Sequence, residues 1–432
     1  MTPPNRLWVG LTWLAGAGLL LLAGHLQDPL LMPVRHLAQS LTFGLCSVGL
    51  LLWWRARRRW YAWVGALPLL LALMLASSLE YRWRAEKAEL LASQDPALRT
   101  LGAHFIVGMS EPQTLEPLIR QGLIAGVFIT ARNVHGQSID SLRQMIQHWQ
   151  SLRRDAGLPA LIIAADQEGG VVSHLSPPLT QRPPLATLLQ GEPTPVALSA
   201  AAFAYGAAQG SELATLGVTL DLSPVVDLKP ATRARLDFHS AITLRAISPD
   251  PAQTSAVALA YVQGLEHSGV HATLKHFPGL GGVPEDTHHF SATLRTPVAQ
   301  LQRTDWQPFR QVARQTHALI MLGHVTLPEL DAQNPASFSA NVVQRIIRHD
   351  WQHQGVLITD DLTMAAAYSH GICQAAVKAL NAGVDLLLIS YDEDKLFPAL
   401  GCAQRALQDG SLAPATLQRS TERLAATFTA PK

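Results

Sequence analysis

The sequence predicts an α/β chain in which about three transmembrane helices precede a (β/α)8 barrel of the TIM type. Three observations carry this. The first eighty residues hold three long apolar runs almost free of charge, eight short apolar runs follow with room for a helix between most of them, and polar residues collect at the C-terminal ends of those runs.

The charge deficit comes first. Of 432 residues, 48% are hydrophobic and only 15% charged, against roughly 25% charged in an average soluble chain. Between Leu7 and Trp54 the only formal charges are Asp28 and Arg35, and residues 60–79 have none, which excludes a wholly soluble protein. Runs 7–24, about 37–54 and 60–79 each approach the ~20 residues a helix needs to cross a bilayer, and tryptophans lie mostly near their ends. The competing reading of the first run is a cleaved signal peptide after Arg6, but two further runs follow directly. Arg55, Arg57, Arg58 and Arg59 crowd the second turn and should stay cytoplasmic. This places everything after Glu80 outside the cytoplasm of a bacterial inner membrane, although Arg82, Arg84 and Lys87 pull the other way. The expected divisions are a membrane anchor over 1–80, a linker helix over 81–97 and the barrel over 98–430. A lipid bilayer is thus one partner. A net charge of +1 without a basic stripe argues against nucleic acid. Cys46, Cys373 and Cys402 form no CxxC or metal spacing and leave the redox compartment open.

The strand candidates are 104–109, 126–130, 161–166, 218–226, 273–277, 319–325, 355–360 and 385–390. Continuous apolar runs of this length suit parallel strands covered on both faces, and 138–155, 197–216, 251–267 and 342–353 are long enough for crossover helices. An open doubly wound sheet is the runner-up, but no GxGxxG follows any run.

Arg132 and Asn133, Asp166 with Glu168, Asp227, Lys275 with His276, His324, and Asp360 with Asp361 all stand where these runs end. Alone, Asp227 or His324 reads as a structural polar group at a barrel rim; together the residues read as a site. The richest stretch is Lys275-His276-Phe277-Pro278-Gly279-Leu280-Gly281-Gly282-Val283-Pro284-Glu285-Asp286-Thr287-His288. Its glycines allow close backbone approach and loop motion. An Asp two residues before a His can accept the Nδ1–H bond and leave Nε2 to handle a proton. The competing chemistry is a metal site built from Asp286, His288, His289 and His276.

That stretch resembles the signature K-H-[FI]-P-G-[HL]-G-x4-D-[ST]-H of the glycoside hydrolase family 3 β-N-acetylhexosaminidases. The likeness continues in Asp166-Gln167-Glu168-Gly169-Gly170, in Gly126-Val127-Phe128-Ile129 with Arg132-Asn133, in Ser223-Pro224-Val225-Val226-Asp227 and in Ile358-Thr359-Asp360-Asp361-Leu362-Thr363-Met364. It covers about residues 98–425 and implies the same barrel. Carried over residue by residue, the resemblance implies Asp360 as nucleophile, with Asp361 as the alternative because both faces of that strand are apolar. It implies His288 as acid/base oriented by Asp286, and Asp166, Arg245, Lys275 and His276 as sugar-binding residues. Val171 and His174 stand where the family usually has arginines, and Ala246-Ile247 replaces Ser-Phe.

The resemblance therefore implies a retaining β-N-acetylhexosaminidase that removes terminal β-linked N-acetylglucosamine from peptidoglycan-derived saccharides without metal or organic cofactor. Alternatives are another family 3 β-glycosidase, an N-acetylglucosaminide phosphorylase, a metal-dependent barrel hydrolase, or a catalytically silent, membrane-held glycan-binding protein.

Overall fold

The computed structural model describes residues 6–56, 60–231, 240–287 and 289–428, which form two compact units divided between Ala92 and Ser93.

The N-terminal unit is three helices, α1 (Arg6–His25), α2 (Arg35–Ala56) and α3 (Trp60–Ala92). Asp28 caps the turn between α1 and α2 by accepting from Leu30 N at 3.0 Å, and the buried Arg35 folds back to donate to Leu26 O at 3.1 Å. Ala23, Leu26, Ala38, Cys46, Leu69, Ala72 and Ala76 form a small core, while Leu14, Leu21, Leu51 and Leu52 face outward. The expectation of three spans is met only in part. Among the described residues, one stretch, Pro29–Arg55, is long and apolar enough to cross a membrane, and Leu11–His25 is a shorter apolar helix. Glu80 to Glu89 is rich in strong helix formers, and α3 continues through it to Ala92.

The second unit carries eight parallel strands: β1 (Phe105–Val107), β2 (Gly126–Ile129), β3 (Ile162–Ala165), β4 (Leu220–Asp221), β5 (Thr273–Phe277), β6 (Leu319–Leu322), β7 (Leu357–Asp361) and β8 (Leu386–Ile389). Neighbours pair in sequence order and β8 returns to β1. Bridges Leu220↔His271 and Val225↔Lys275 bring β4 to β5, so the barrel is nearly closed. The β4 ladder is shorter than the apolar run 218–226 because Pro224 cannot donate a ladder hydrogen bond. The run 319–325 divides: Gly323 N donates to Phe277 O at 2.7 Å, and Val325–Leu327 joins a separate three-stranded sheet with Ala292–Thr293 and Asp331–Pro335.

The crossover helices begin where the sequence supplies caps. Ser138 accepts from Ser141 N ahead of Ile139–Asp155; Thr194 and Asp250, each followed by proline, cap Pro195–Leu216 and Pro251–His267. Residues two apart, Ile162 and Ala164, Leu220 and Leu222, Leu319 and Met321, Val356 and Ile358, Leu386 and Leu388, fill the lumen, against which Leu424 and Phe428 pack. This period of two fixes which face of each strand looks into the barrel.

Candidate active site

The C-terminal strand ends bring the sequence-predicted polar residues together in two groups. In the first, Asp166 follows β3, and Glu168 sits on the hairpin Gln167–Gly169/Val172–Ser173. Lys275 is buried on β5 and its ammonium bonds both Asp166 and Glu168, the latter at 2.6 Å. Arg245, at the end of the short helix Ile242–Arg245, grips Glu168 from the other side, donates to Ser240 O at 2.7 Å and approaches His276 Nε2 at 3.4 Å. Burial alone would raise the Glu168 carboxyl, but Arg245 and Lys275 outweigh it and hold it down to about 2. Burial works against the Lys275 charge, yet Asp166 and Glu168 raise its pKa. The group is a charged lattice of two cations and two anions.

Asp227, fully buried after β4, accepts from His276 Nδ1 at 2.7 Å, from His276 N and from Leu280 N at 2.7 Å. With Nδ1–H committed to Asp227, Nε2 of His276 is left as an acceptor toward Arg245. Asp227 is therefore the residue that orients His276, a task its sequence position did not reveal. His324 takes the structural reading: it bonds Ser337 Oγ at 2.8 Å and the Asp361 carbonyl at 3.0 Å, and burial lowers its pKa.

The second group stands at the end of β7. The pairing of β7 with β8 shifts register between Ile358 and Asp361, and Asp360, inside that irregular stretch, is half-buried. Asp361 is buried and both its oxygens are engaged. Oδ1 accepts from Thr363 N at 2.9 Å; Oδ2 accepts from Ser390 Oγ at 2.6 Å and Tyr391 N at 3.1 Å. Asp360 Oδ1 accepts from Asp361 N at 2.9 Å.

The glycine-bearing loop after β5 comes close to both groups. Gly279 has φ +110°, and a Cβ on Gly281 would meet Leu228 O at 2.1 Å, so neither position tolerates a side chain without rearrangement. Trp306 Nε1 donates to Pro278 O at 3.1 Å, and the Phe277 ring packs on Trp306, Phe309 and Trp351 behind β5. Asp286 is fully buried and its carbonyl accepts from His289 N and Phe290 N. Thr287 O takes the Ala366 amide at 3.4 Å, which draws the loop to the segment after Asp360. His288 lies outside the described residues. Of the family departures, Val171 is exposed on the hairpin turn, while His174 N donates to Asp166 O and its ring edges onto Phe128. Among the described residues, no three of His, Cys, Asp and Glu gather as a metal site would require.

Residues 98–427 match the profile of the glycosyl hydrolase family 3 N terminal domain. A protein of Xanthomonas oryzae pv. oryzae (strain MAFF 311018) named beta-hexosaminidase is 36% identical over 277 residues, 64% of this chain and 79% of that one. A beta-hexosaminidase of Nitrosomonas eutropha is 33% identical over 292 residues, 67% of this chain and 80% of its own. Among solved structures, a glycoside hydrolase family 3 beta-N-acetylglucosaminidase from Paenibacillus sp. str. FPU-7 superposes with TM-score 0.70 at 26% identity; the match covers 78% of this chain and 63% of that one. A beta-N-acetylhexosaminidase from Beutenbergia cavernae superposes at 0.68 and 26% identity over 77% of this chain and 98% of that one.

Proposed function

Because the chain belongs to glycosyl hydrolase family 3 and is a glycosidase, we propose that it is a retaining β-N-acetylhexosaminidase that removes terminal β-linked N-acetylglucosamine from peptidoglycan-derived saccharides. The observation that carries the reading is the end of β7, where both oxygens of the buried Asp361 are taken by Thr363, Ser390 and Tyr391 while Asp360 beside it is half-buried. In this reading the Asp360 carboxylate attacks the anomeric carbon and forms a covalent glycosyl ester. His288 as imidazolium protonates the departing oxygen, then as neutral imidazole takes a proton from the water that cleaves the ester. Asp286 orients that imidazole. Asp166, Lys275, Arg245 and His276 hold the sugar that reacts, and the ion pairs of Lys275 with Asp166 and of Lys275 and Arg245 with Glu168 keep the first three side chains fixed before substrate arrives.

We place the three N-terminal helices in the inner membrane and the barrel outside the cytoplasm. Two features support this. Four arginines, Arg55, Arg57, Arg58 and Arg59, lie in sequence between the second and third apolar runs. Cys373 and Cys402 are paired with Cα atoms 5.4 Å apart, and disulfides persist in oxidising compartments such as the periplasm.

The test is hydrolysis of aryl β-N-acetylglucosaminide beside aryl β-glucoside, β-galactosaminide and β-muramide, each with and without chelator and phosphate. Preference for the N-acetylglucosaminide, unmoved by either additive, is the expected result. A faster glucoside, a requirement for phosphate or loss of activity to chelator would each overturn it.

A further inference from the structure

Asp221 ends β4 with its side chain on the side away from the lumen, because Leu220 and Leu222 occupy the lumen face. It is fully buried, and nothing in the proposed chemistry uses it. Its Oδ1 accepts from Gln167 N at 3.0 Å. Its Oδ2 accepts from Ser223 Oγ at 2.7 Å, Gln209 Nε2 at 3.0 Å and Tyr261 Oη at 3.3 Å. Gln209 also donates to Gln167 O, so residue 167 is held at both its amide and its carbonyl. The two residues flanking Gln167 are Asp166 and Glu168, the carboxylates that meet on Lys275 Nζ.

We infer that Asp221 is a positioning residue: by holding the backbone of Gln167 it sets Asp166 and Glu168 against Lys275 and Arg245, and so preforms the sugar-binding lattice. The inference rests on the function proposed above.

The shell around Asp221 favours the carboxylate form. Gln167 N is a donor that cannot turn round, and every other partner has a proton to give. The titratable groups around it are Lys275 on β5, Tyr205 on Pro195–Leu216, Tyr261 on Pro251–His267, and Asp166 and Glu168 beside Gln167. Burial nonetheless pushes the Asp221 carboxyl up to about 7, against the pull of Ser223, Gln167 N, Gln209 and Lys275. The lattice should therefore tighten as pH rises through neutrality.

The experiment is kcat/KM against pH on nitrophenyl β-N-acetylglucosaminide. This ratio reports ionisations of the free enzyme. An activated phenolate barely needs the imidazolium proton, so the alkaline fall due to His288 is suppressed. The wild-type enzyme should show a rising limb near neutrality. Asp221→Asn, which mimics the protonated acid, should lack that limb and fall about ten- to a hundredfold below wild type on the alkaline side, mainly through KM. Ser223→Ala removes the closest donor while leaving the carboxylate, and should move the limb to higher pH; it keeps the test open if the asparagine variant does not fold. An unmoved limb in either variant, or a loss equal at every pH, would overturn the inference. If the wild-type enzyme turns over no aryl hexosaminide, the functional reading has failed instead. Calorimetric titration with N-acetylglucosamine across the same pH range then decides for Asp221, for it if affinity rises through neutrality in the wild type alone, against it otherwise.

Discussion

Arg245 closes on Glu168 with two parallel hydrogen bonds, Nε to Oε2 at 2.8 Å and Nη2 to Oε1 at 2.7 Å, between side chains that are 7% and 5% exposed. Lys275 shares the same carboxylate from β5. Removing one partner of such a buried set leaves the other charges uncompensated, and Glu168→Ala should destabilise the barrel by about 3–5 kcal/mol. The pH dependence has a definite sign. The folded-state pKa of Glu168 is depressed to about 2 from an ordinary 4.5. Its contribution is therefore present above about pH 4.5 and lost as pH falls from there toward 2. Chemical denaturation at stepped pH should show this loss in the wild-type enzyme and a flatter acid limb in Glu168→Gln. Equal acid limbs in the two would refute it.

The nucleophile is tested at the end of β7. Asp360→Asn should lose several orders of magnitude in kcat and fail to trap a fluoroglycosyl intermediate. Asp361→Asn should still trap one, on Asp360, because the Asp361 oxygens are occupied by Thr363, Ser390 and Tyr391. The cost there should appear as lowered stability. A labelled peptide carrying the adduct on Asp361 would reverse the assignment.

This choice was not legible in the sequence, and the reason is specific. Strand β7 is apolar on both faces, so alternation alone cannot tell Asp360 from Asp361; the contacts that occupy Asp361 Oδ2, from the Ser390 hydroxyl and Tyr391 N, come from a distant part of the chain. Glu168 was visible at a strand end, but its central place depends on Arg245 lying 77 residues away and on Lys275. Asp221 gave no signal at all, since its partners Gln209, Tyr261 and Gln167 lie far along the chain on two helices and a hairpin. The barrel itself was legible because buried parallel strands read as unbroken apolar runs. The short pairings 167–173 and 292–335 were not, because strands of two to five residues carry too little pattern.

Topology makes a prediction that needs no substrate. A reporter fused after Lys432 should read periplasmic, and protease added to spheroplasts should remove the barrel. Alkylation of the denatured, unreduced protein should label Cys46 and spare Cys373 and Cys402, the pair held 5.4 Å apart at Cα. Three labelled thiols, with activity protected from protease until lysis, would place the barrel in the cytoplasm.

His288 makes the sharpest kinetic prediction. An imidazole has an unperturbed pKa of about 6.5, so it gives and takes protons near neutrality without the upward shift a carboxylic acid would need. Asp286, two residues earlier in the sequence, is fully buried, and a carboxylate beside an imidazole steadies the ring and favours its protonated form. His288→Ala should therefore slow glycosylation by substrates with poor leaving groups far more than by nitrophenyl glycosides, whose phenolate scarcely needs the proton. Deglycosylation needs the base whatever the aglycone, so a covalent intermediate should accumulate, and azide should speed its turnover by attacking without a base. Asp286→Asn should show the same pattern more mildly. Equal losses on good and poor leaving groups with no azide rescue would instead make His288 a binding or structural residue and return the acid/base role to a carboxylate.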